Sequence, residues 1–149
     1  MEPDTPDLAT GLIRLGRLVN DVFAQAAAAH GLTATQARLL CILIERPRGM
    51  AELAGLLGID KAGMTGLVDR VQRQDLAERA AVPGDRRAVR VRLTPAGYRV
   101  AVAVHERVRA SLDTVTAVLP PAGRERFRLA VALVTASAGA PSREPAGAR

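Results

Sequence analysis

The chain has 149 residues, is 48% hydrophobic and carries a formal net charge of +6, with one Tyr, two Phe and no Trp. That length suits one domain, and a core so poor in aromatics must be built from Leu, Val, Ile and Ala, which favours closely packed helices. The single cysteine, Cys41, excludes an internal disulfide framework and a four-cysteine zinc site.

The opening MEPDTPDLATGL is acidic and lacks the basic-then-apolar run of a secretory signal. No apolar stretch approaches the ~18 residues of a membrane span. The expectation is a soluble, cytoplasmic protein with no membrane partner. Nearly all the positive charge is arginine, Lys61 being the only lysine. Such a balance points to an acidic partner, nucleic acid ahead of a membrane surface. A GC-rich genome also yields arginine, so the location of the charge matters more than its sum.

Residues 1–7 and 139–149 are rich in Pro, Gly and charge and are expected to be flexible tails. From Leu8, apolar residues at Leu12, Leu15, Val19, Val22 and Ala26 form a helical stripe, ending near His30-Gly31 where Gly supplies a left-handed cap. Thr33 and Gln36 have capping-box spacing, with Leu32 as a staple onto Ala37. The helix they open carries Leu39, Leu40, Leu43 and Ile44 and stops before Pro47 and Gly49.

Two short helices follow, joined by LGID, with Leu53, Leu56 and Leu57 buried on the first and Leu67, Val68 and Val71 on the second. Asp60 suits the N-cap of the second. This is the helix-turn-helix pattern, with a recognition helix at about 60–74. LAERAAV, PGDRR and AVRVRL then read as strand, turn and strand, with Val89, Val91 and Leu93 facing one way and Arg90 and Arg92 the other. Thr94 caps a long helix with Pro95 at its first position. Heptad sites Tyr98, His105, Leu112, Leu119 and Ala101, Val108, Val115 run along it to Pro120-Pro121. A last helix, roughly 122–137, is expected to bury Phe127, Ala130, Val131 and Val134.

The fold class is therefore mainly α with a small β-hairpin wing: a winged helix-turn-helix with N- and C-terminal dimerisation helices. A single domain spans 8–138, with dimerisation helices at about 8–30 and 95–137 and the winged helix-turn-helix at about 33–94. The apolar stripes of the terminal helices need cover, which a second copy of the chain would supply.

Over residues 8–137 the sequence resembles the MarR family of transcriptional regulators. The most specific segment is DRRAVRVRLTPAG, with Asp85-x-Arg87, Val91 and Leu93-Thr94-x-x-Gly97; LTATQARLL, ELAGLLGID and LVDRVQRQDLAER follow the family's order and spacing. The resemblance implies a winged-helix homodimer joined through its terminal helices, binding a palindromic operator and acting as a repressor by family habit. It also implies release by a small phenolic or aromatic ligand in a cleft between the dimerisation and DNA-binding parts, where Arg14, Arg17, Arg38 and His105 are candidates. Two departures stand out. Asp75 replaces the usual Gly at the end of the recognition helix, where Asp tolerates the left-handed region less well, and Gly63 and Gly66, which offer no side chain to a base edge, stand where larger polar residues are common.

On the recognition helix, Lys61 and Thr65 are candidates for base or phosphate contacts and Arg70 for a phosphate; an ordinary solvated face is the plain alternative. At the wing, Pro83-Gly84 makes the turn and Asp85-Arg86-Arg87 the tip. Guanidinium suits a narrow minor groove, so Arg87 is assigned to the groove and Arg86 to the backbone or the same task. The family counterpart implies that Asp85 orients a neighbouring Arg. Arg90 and Arg92 either approach phosphates or protect a solvated edge strand.

Catalysis has no support: there is no local Ser-His-Asp ordering, no phosphate-binding loop and no clustered acidic pair. Neither a cofactor nor a metal is expected. His105 has Arg109 one turn on rather than a second ligand, and His30 sits at a helix end. Thiol sensors of the family carry cysteine near the start of the first helix beside tyrosines. Cys41 lies in the second helix between Leu40 and Ile42, so a buried small hydrophobe is the better reading. Two alternatives stay open: a redox-sensing regulator acting through Cys41, and a winged-helix protein-interaction module without DNA specificity.

Overall fold

A computed structural model of the chain describes residues 5–138. Of the expected tails, residues 1–4 and 139–149 lie outside the described residues. The elements in order are α1 (Leu8–Ala28), α2 (Ala34–Leu43), β1 (Arg48–Gly49), α3 (Met50–Leu57), α4 (Lys61–Arg73), β2 (Ala77–Val82), β3 (Asp85–Leu93), α5 (Pro95–Thr116) and α6 (Pro121–Ala138). The chain divides into two compact units within α5, between Leu112 and Asp113.

Local chemistry sets the boundaries in the first unit. The Asp7 carboxylate accepts the Thr10 N–H at 3.0 Å and its hydroxyl at 2.8 Å, opening α1. These bonds, the backbone one first, hold the Asp7 carboxyl below its ordinary value. Gly31, at φ +66°, turns the chain out after α1. The capping box of α2 forms as expected, Thr33 N–H to Gln36 Oε1 at 2.9 Å and Gln36 N–H to Thr33 Oγ1 at 3.2 Å. The core joins Ala26 and Ala27 of α1 to Leu39, Leu40, Leu53, Met64, Val68, Val71, Val91 and Val104. Small alanines let α1 and α2 approach closely, and the longer aliphatics fill the space beneath the helix-turn-helix.

The hairpin is one part of a three-stranded antiparallel sheet of order β1-β3-β2. The third strand is Arg48–Gly49, where the sequence suggested only a helix end; it pairs Arg48 with Val91 and Gly49 with Arg90. Thr94 ties the root of the wing to α5. Its N–H donates to the Leu76 carbonyl at 3.1 Å, its hydroxyl donates to the Asp75 carbonyl at 2.6 Å, and its oxygen accepts the Gly97 N–H at 2.9 Å. Asp75 adopts φ +57°, the left-handed conformation expected where the family has Gly. A Cβ on Gly97 would fall within the Leu76 carbonyl, 2.6 Å from its carbon. The Thr94-x-x-Gly97 pattern is therefore a cap followed by a close backbone crossing.

Several expected core positions are open. Leu56 is 55% and Val89 42% exposed, so α3 buries Leu53 and the inward face of β3 is Val91 with Leu93 half-buried. On α5, Tyr98 and His105 are exposed while Ala101, Val104 and Val108 are buried. The inward stripe is that of a helix lying on a globular body rather than a heptad seam. In the second unit, α5 ends at Thr116, short of Pro120, and α6 buries none of its residues; Phe127, Val131 and Val134 are all exposed. Periodicity identified the apolar face of α6, but the described residues leave that face uncovered.

Candidate nucleic-acid interface

The N-terminus of α4 is built around a tight cap. The Asp60 carboxylate accepts the Gly63 N–H at 2.6 Å, and a Cβ on Gly63 would meet that carboxylate oxygen at 2.9 Å. Glycine lets the cap seat this closely. Lys61, the first helical residue, and Thr65, one turn on, are both exposed. The Thr65 hydroxyl donates to the Lys61 carbonyl at 3.0 Å, which leaves its oxygen free to accept. Arg70 folds back along the helix, Nε donating to the Gly66 carbonyl at 3.1 Å, and a Cβ on Gly66 would lie 3.4 Å from its Nη2. The two glycines that looked like lost base contacts thus serve the cap and the seating of Arg70.

At the wing, Pro83-Gly84 makes the turn, with Gly84 at φ +84°. The Asp85-Arg86-Arg87 segment begins β3 directly rather than forming a loop, and Asp85 pairs with Val82 beside a bulge at Ala81/Val82. Asp85 Oδ1 accepts the backbone N–H of Arg87 at 3.0 Å, so it fixes the main chain rather than a guanidinium. Arg86, Arg87 and Arg90 are exposed, and among the described residues no carboxylate pairs with them. Arg92 differs, its Nε bonding Glu78 Oε1 across the strands at 2.7 Å. Three uncompensated guanidiniums on one strand repel one another in water, an arrangement suited to a polyanion.

Away from this face, a cavity of about 490 Å³ opens in the first unit among α1, α2, α3 and α5. Its wall is largely apolar, with Val19, Phe23, Ile42, Leu56, Leu57 and Ile59. The structure brings Arg38 and His105 together on this wall, while Arg14 and Arg17 are exposed on α1 and do not line it. Arg38 lies 5.1 Å over the Phe23 ring centroid and has no carboxylate partner among the described residues. Cys41 also lines the cavity, its Sγ 3.9 Å from the Ala101 carbonyl, and burial pushes its thiol up to about 11. That is the opposite of the activation a thiol sensor requires. Among the described residues no three His, Cys, Asp or Glu side chains gather where they could hold a metal, and no helix is long and apolar enough to cross a membrane.

A model of the MarR family matches residues 30–88, the stretch from the end of α1 into the wing. The multiple antibiotic resistance protein MarR of Salmonella typhimurium is 32% identical over 113 residues, covering 69% of this chain and 77% of that protein. The chain belongs to the MarR family. A second relative, the HTH-type transcriptional repressor NicR of Pseudomonas putida, is 38% identical over 77 residues. That match takes in 51% of this chain and 49% of NicR, so the chain spans about half the length of this relative. Among solved structures, NadR in complex with 4-hydroxyphenylacetate superimposes with a TM-score of 0.77 at 23% identity, over 95% of this chain and 99% of that one, a likeness of fold. Family membership makes the protein a transcription regulator with a winged-helix fold.

Within this MarR-family frame, sequence reasoning missed the polar links between elements. Arg79 on β2 reaches α4, bonding Asp69 Oδ1 at 2.7 Å and Gln72 Oε1 at 2.8 Å. Arg48 on β1 bonds Glu45 and Glu52, each at 2.7 Å, and Arg46 joins the same Glu52. The Asp69–Arg79 pair spans ten positions and joins a helix to a strand, so no periodic pattern announces it.

Proposed function

We propose that this protein is a homodimeric transcriptional repressor that grips a pseudo-palindromic operator and lets go when a small organic anion enters the α1–α2–α3–α5 cavity. α4 lies in the major groove with Lys61 and Thr65 towards the bases and Arg70 on a phosphate. The wing lies in the minor groove, Arg87 inserted and Arg86 and Arg90 on the backbone, with Asp85 holding the main chain at the tip. The observation that carries this reading is the set of unpaired guanidiniums on β3 in the same unit as α4. They stand out because the other wing-sheet arginines, Arg48, Arg79 and Arg92, are all neutralised by carboxylates.

Homodimerisation through the terminal helices is supported by the apolar residues they leave in water, Leu8 at 80% and Leu133 at 73% exposed among them. Exposure on this scale marks an interaction surface. A two-fold dimer presents its recognition helices about 34 Å apart, one turn of duplex. Repression is supported by the description of NicR as a repressor. For the effector, Arg38 offers an unpaired charge in an apolar wall beside Phe23, a setting for a carboxylate attached to a small ring; the ligand carried by NadR has that chemistry. The site of action is the cytoplasm, where the operator is.

The deciding experiment is a titration of duplex DNA at several salt concentrations. Arg87→Ala is expected to weaken operator binding by on the order of 1–3 kcal/mol. Each lost phosphate contact should shallow the log–log salt slope by about 0.9. Near-normal affinity of Arg87→Ala, or a purified chain that sediments as a monomer, would overturn the reading. Adding 4-hydroxyphenylacetate tests the effector: release by wild type and not by Arg38→Gln is the expected pattern.

A further inference from the structure

The inner face of the wing sheet carries a row of three residues whose outer members are arginines. Val91 of β3 stands opposite Arg79 of β2 on one side and Arg48 of β1 on the other. Directly opposed residues of antiparallel strands project to the same face. Val91 is fully buried, so both arginines lie on the face that meets the helices. Each makes a multidentate clamp. Arg79 spends Nη1 on Gln72 and Nη2 on Asp69, both of α4. Arg48 spends Nη1 on Glu52 of α3, Nη2 on Glu45, and Nε on the Ile42 carbonyl of α2 at 3.3 Å.

The chemistry of the row differs from that of its surroundings. Apolar contact around Val91 is non-directional and holds helices to the sheet without fixing their angle. A planar guanidinium fork bonded to two groups fixes direction as well as distance. Lys61, Thr65 and Asp69 recur at steps of four along one stripe of α4, so the Arg79 clamp grips the stripe that carries the candidate DNA contacts. It also neutralises the one carboxylate on that stripe that would otherwise face phosphate.

We propose that Arg79 and Arg48 are positioning residues for DNA recognition: without touching DNA, they set the angle of the helix-turn-helix against the wing so that both grooves can be contacted together. This rests on the DNA-binding reading above.

The test uses a duplex selected by the wild-type protein from a randomised pool, and a scrambled duplex of the same length. Arg79→Gln and Arg48→Gln should each lose about tenfold or more in affinity for the selected duplex, as expected when base contacts fall out of register. Scrambled-duplex affinity and the salt slope should stay unchanged for Arg48→Gln; Arg79→Gln also frees the Asp69 carboxylate, a loss common to both duplexes and smaller than the loss on the selected one. Arg79→Lys keeps the charge but not the fork and should fall with Arg79→Gln. A slope shallower by about 0.9 would make Arg79 a phosphate contact and overturn the proposal. So would equal losses on both duplexes accompanied by a lower melting temperature, which is what mere destabilisation gives. A DNA-free arm stands apart from the functional reading: Arg79→Gln should speed amide hydrogen exchange of residues 66–73 several-fold while β2 and β3 keep their protection. If wild type selects no duplex, the DNA-binding reading fails and this arm still judges the clamp; unchanged exchange there overturns it.

Discussion

Gly97→Ala tests the junction between wing and long helix most severely. The added Cβ would fall within the Leu76 carbonyl, with the carbonyl carbon at 2.6 Å and Cα at 3.0 Å. Carbon atoms rest about 3.5–4.0 Å apart and the Leu76 carbonyl oxygen lies closer to the added Cβ than its carbon does, so the two backbones must separate by well over about 1 Å. The Thr94 N–H to Leu76 carbonyl bond, 3.1 Å long, then exceeds hydrogen-bonding range, and the Thr94 hydroxyl bond to Asp75 spans the same gap. Two bonds at about 1 kcal/mol each, with about 1–3 kcal/mol for overpacking, give a loss of about 3–5 kcal/mol. That is a large share of the roughly 5–15 kcal/mol that holds a domain folded. Urea unfolding followed by circular dichroism, at fixed protein concentration, measures it. Gly55→Ala is the control: nothing lies within 4 Å of its Cβ, and alanine in mid-helix should be neutral or stabilising by up to about 1 kcal/mol. A Gly97→Ala loss below about 1 kcal/mol would refute the close crossing.

Other expectations follow from individual groups. Cys41, with its thiol pushed up to about 11 by burial, should react with iodoacetamide at pH 8 about a hundredfold more slowly than in urea-unfolded chain; equal rates would reopen the redox reading. The Glu52 carboxyl is held below its ordinary 4.5 by hydrogen bonds from Arg46 first and Arg48 second. Its contribution is therefore present above the unfolded value and lost as pH falls through the lower folded value. Glu52→Gln should flatten the acid limb of a stability–pH profile, and an unaltered limb would assign acid sensitivity to other carboxylates. Asp75→Ala should lower the melting temperature relative to Asp75→Gly, because alanine tolerates φ +57° less well than glycine.

The sequence was most legible where structure is set by neighbours a few residues apart. Thr33 with Gln36, Asp60 ahead of α4, Pro83-Gly84 and Thr94 ahead of Pro95 all act over one turn, and each forms the cap or turn its chemistry demands. Legibility fell where cover comes from distant chain. Leu56 and Val89 have the right spacing to be buried, yet spacing does not tell which apolar face meets a neighbour. β1 is two residues long, too short for an alternating pattern, and exists because Val91 lies beside it. At the candidate interface, the type and order of Lys61, Thr65, Arg86 and Arg87 could be read directly. Which arginines are neutralised could not, because Glu78 and Asp69 find Arg92 and Arg79 only through the folded sheet. The substitution of Gly by Asp75 was the one departure whose conformational meaning was visible in advance.

Lys61 is the only side-chain amine in the molecule, and it stands at the first position of α4. Acylating reagents therefore have a single side chain to find, without any engineered handle. On the proposed docking of α4, a fluorophore attached there would report from the mouth of the groove, and shielding of that amine by bound duplex would give a chemical footprint of the protein rather than of the nucleic acid.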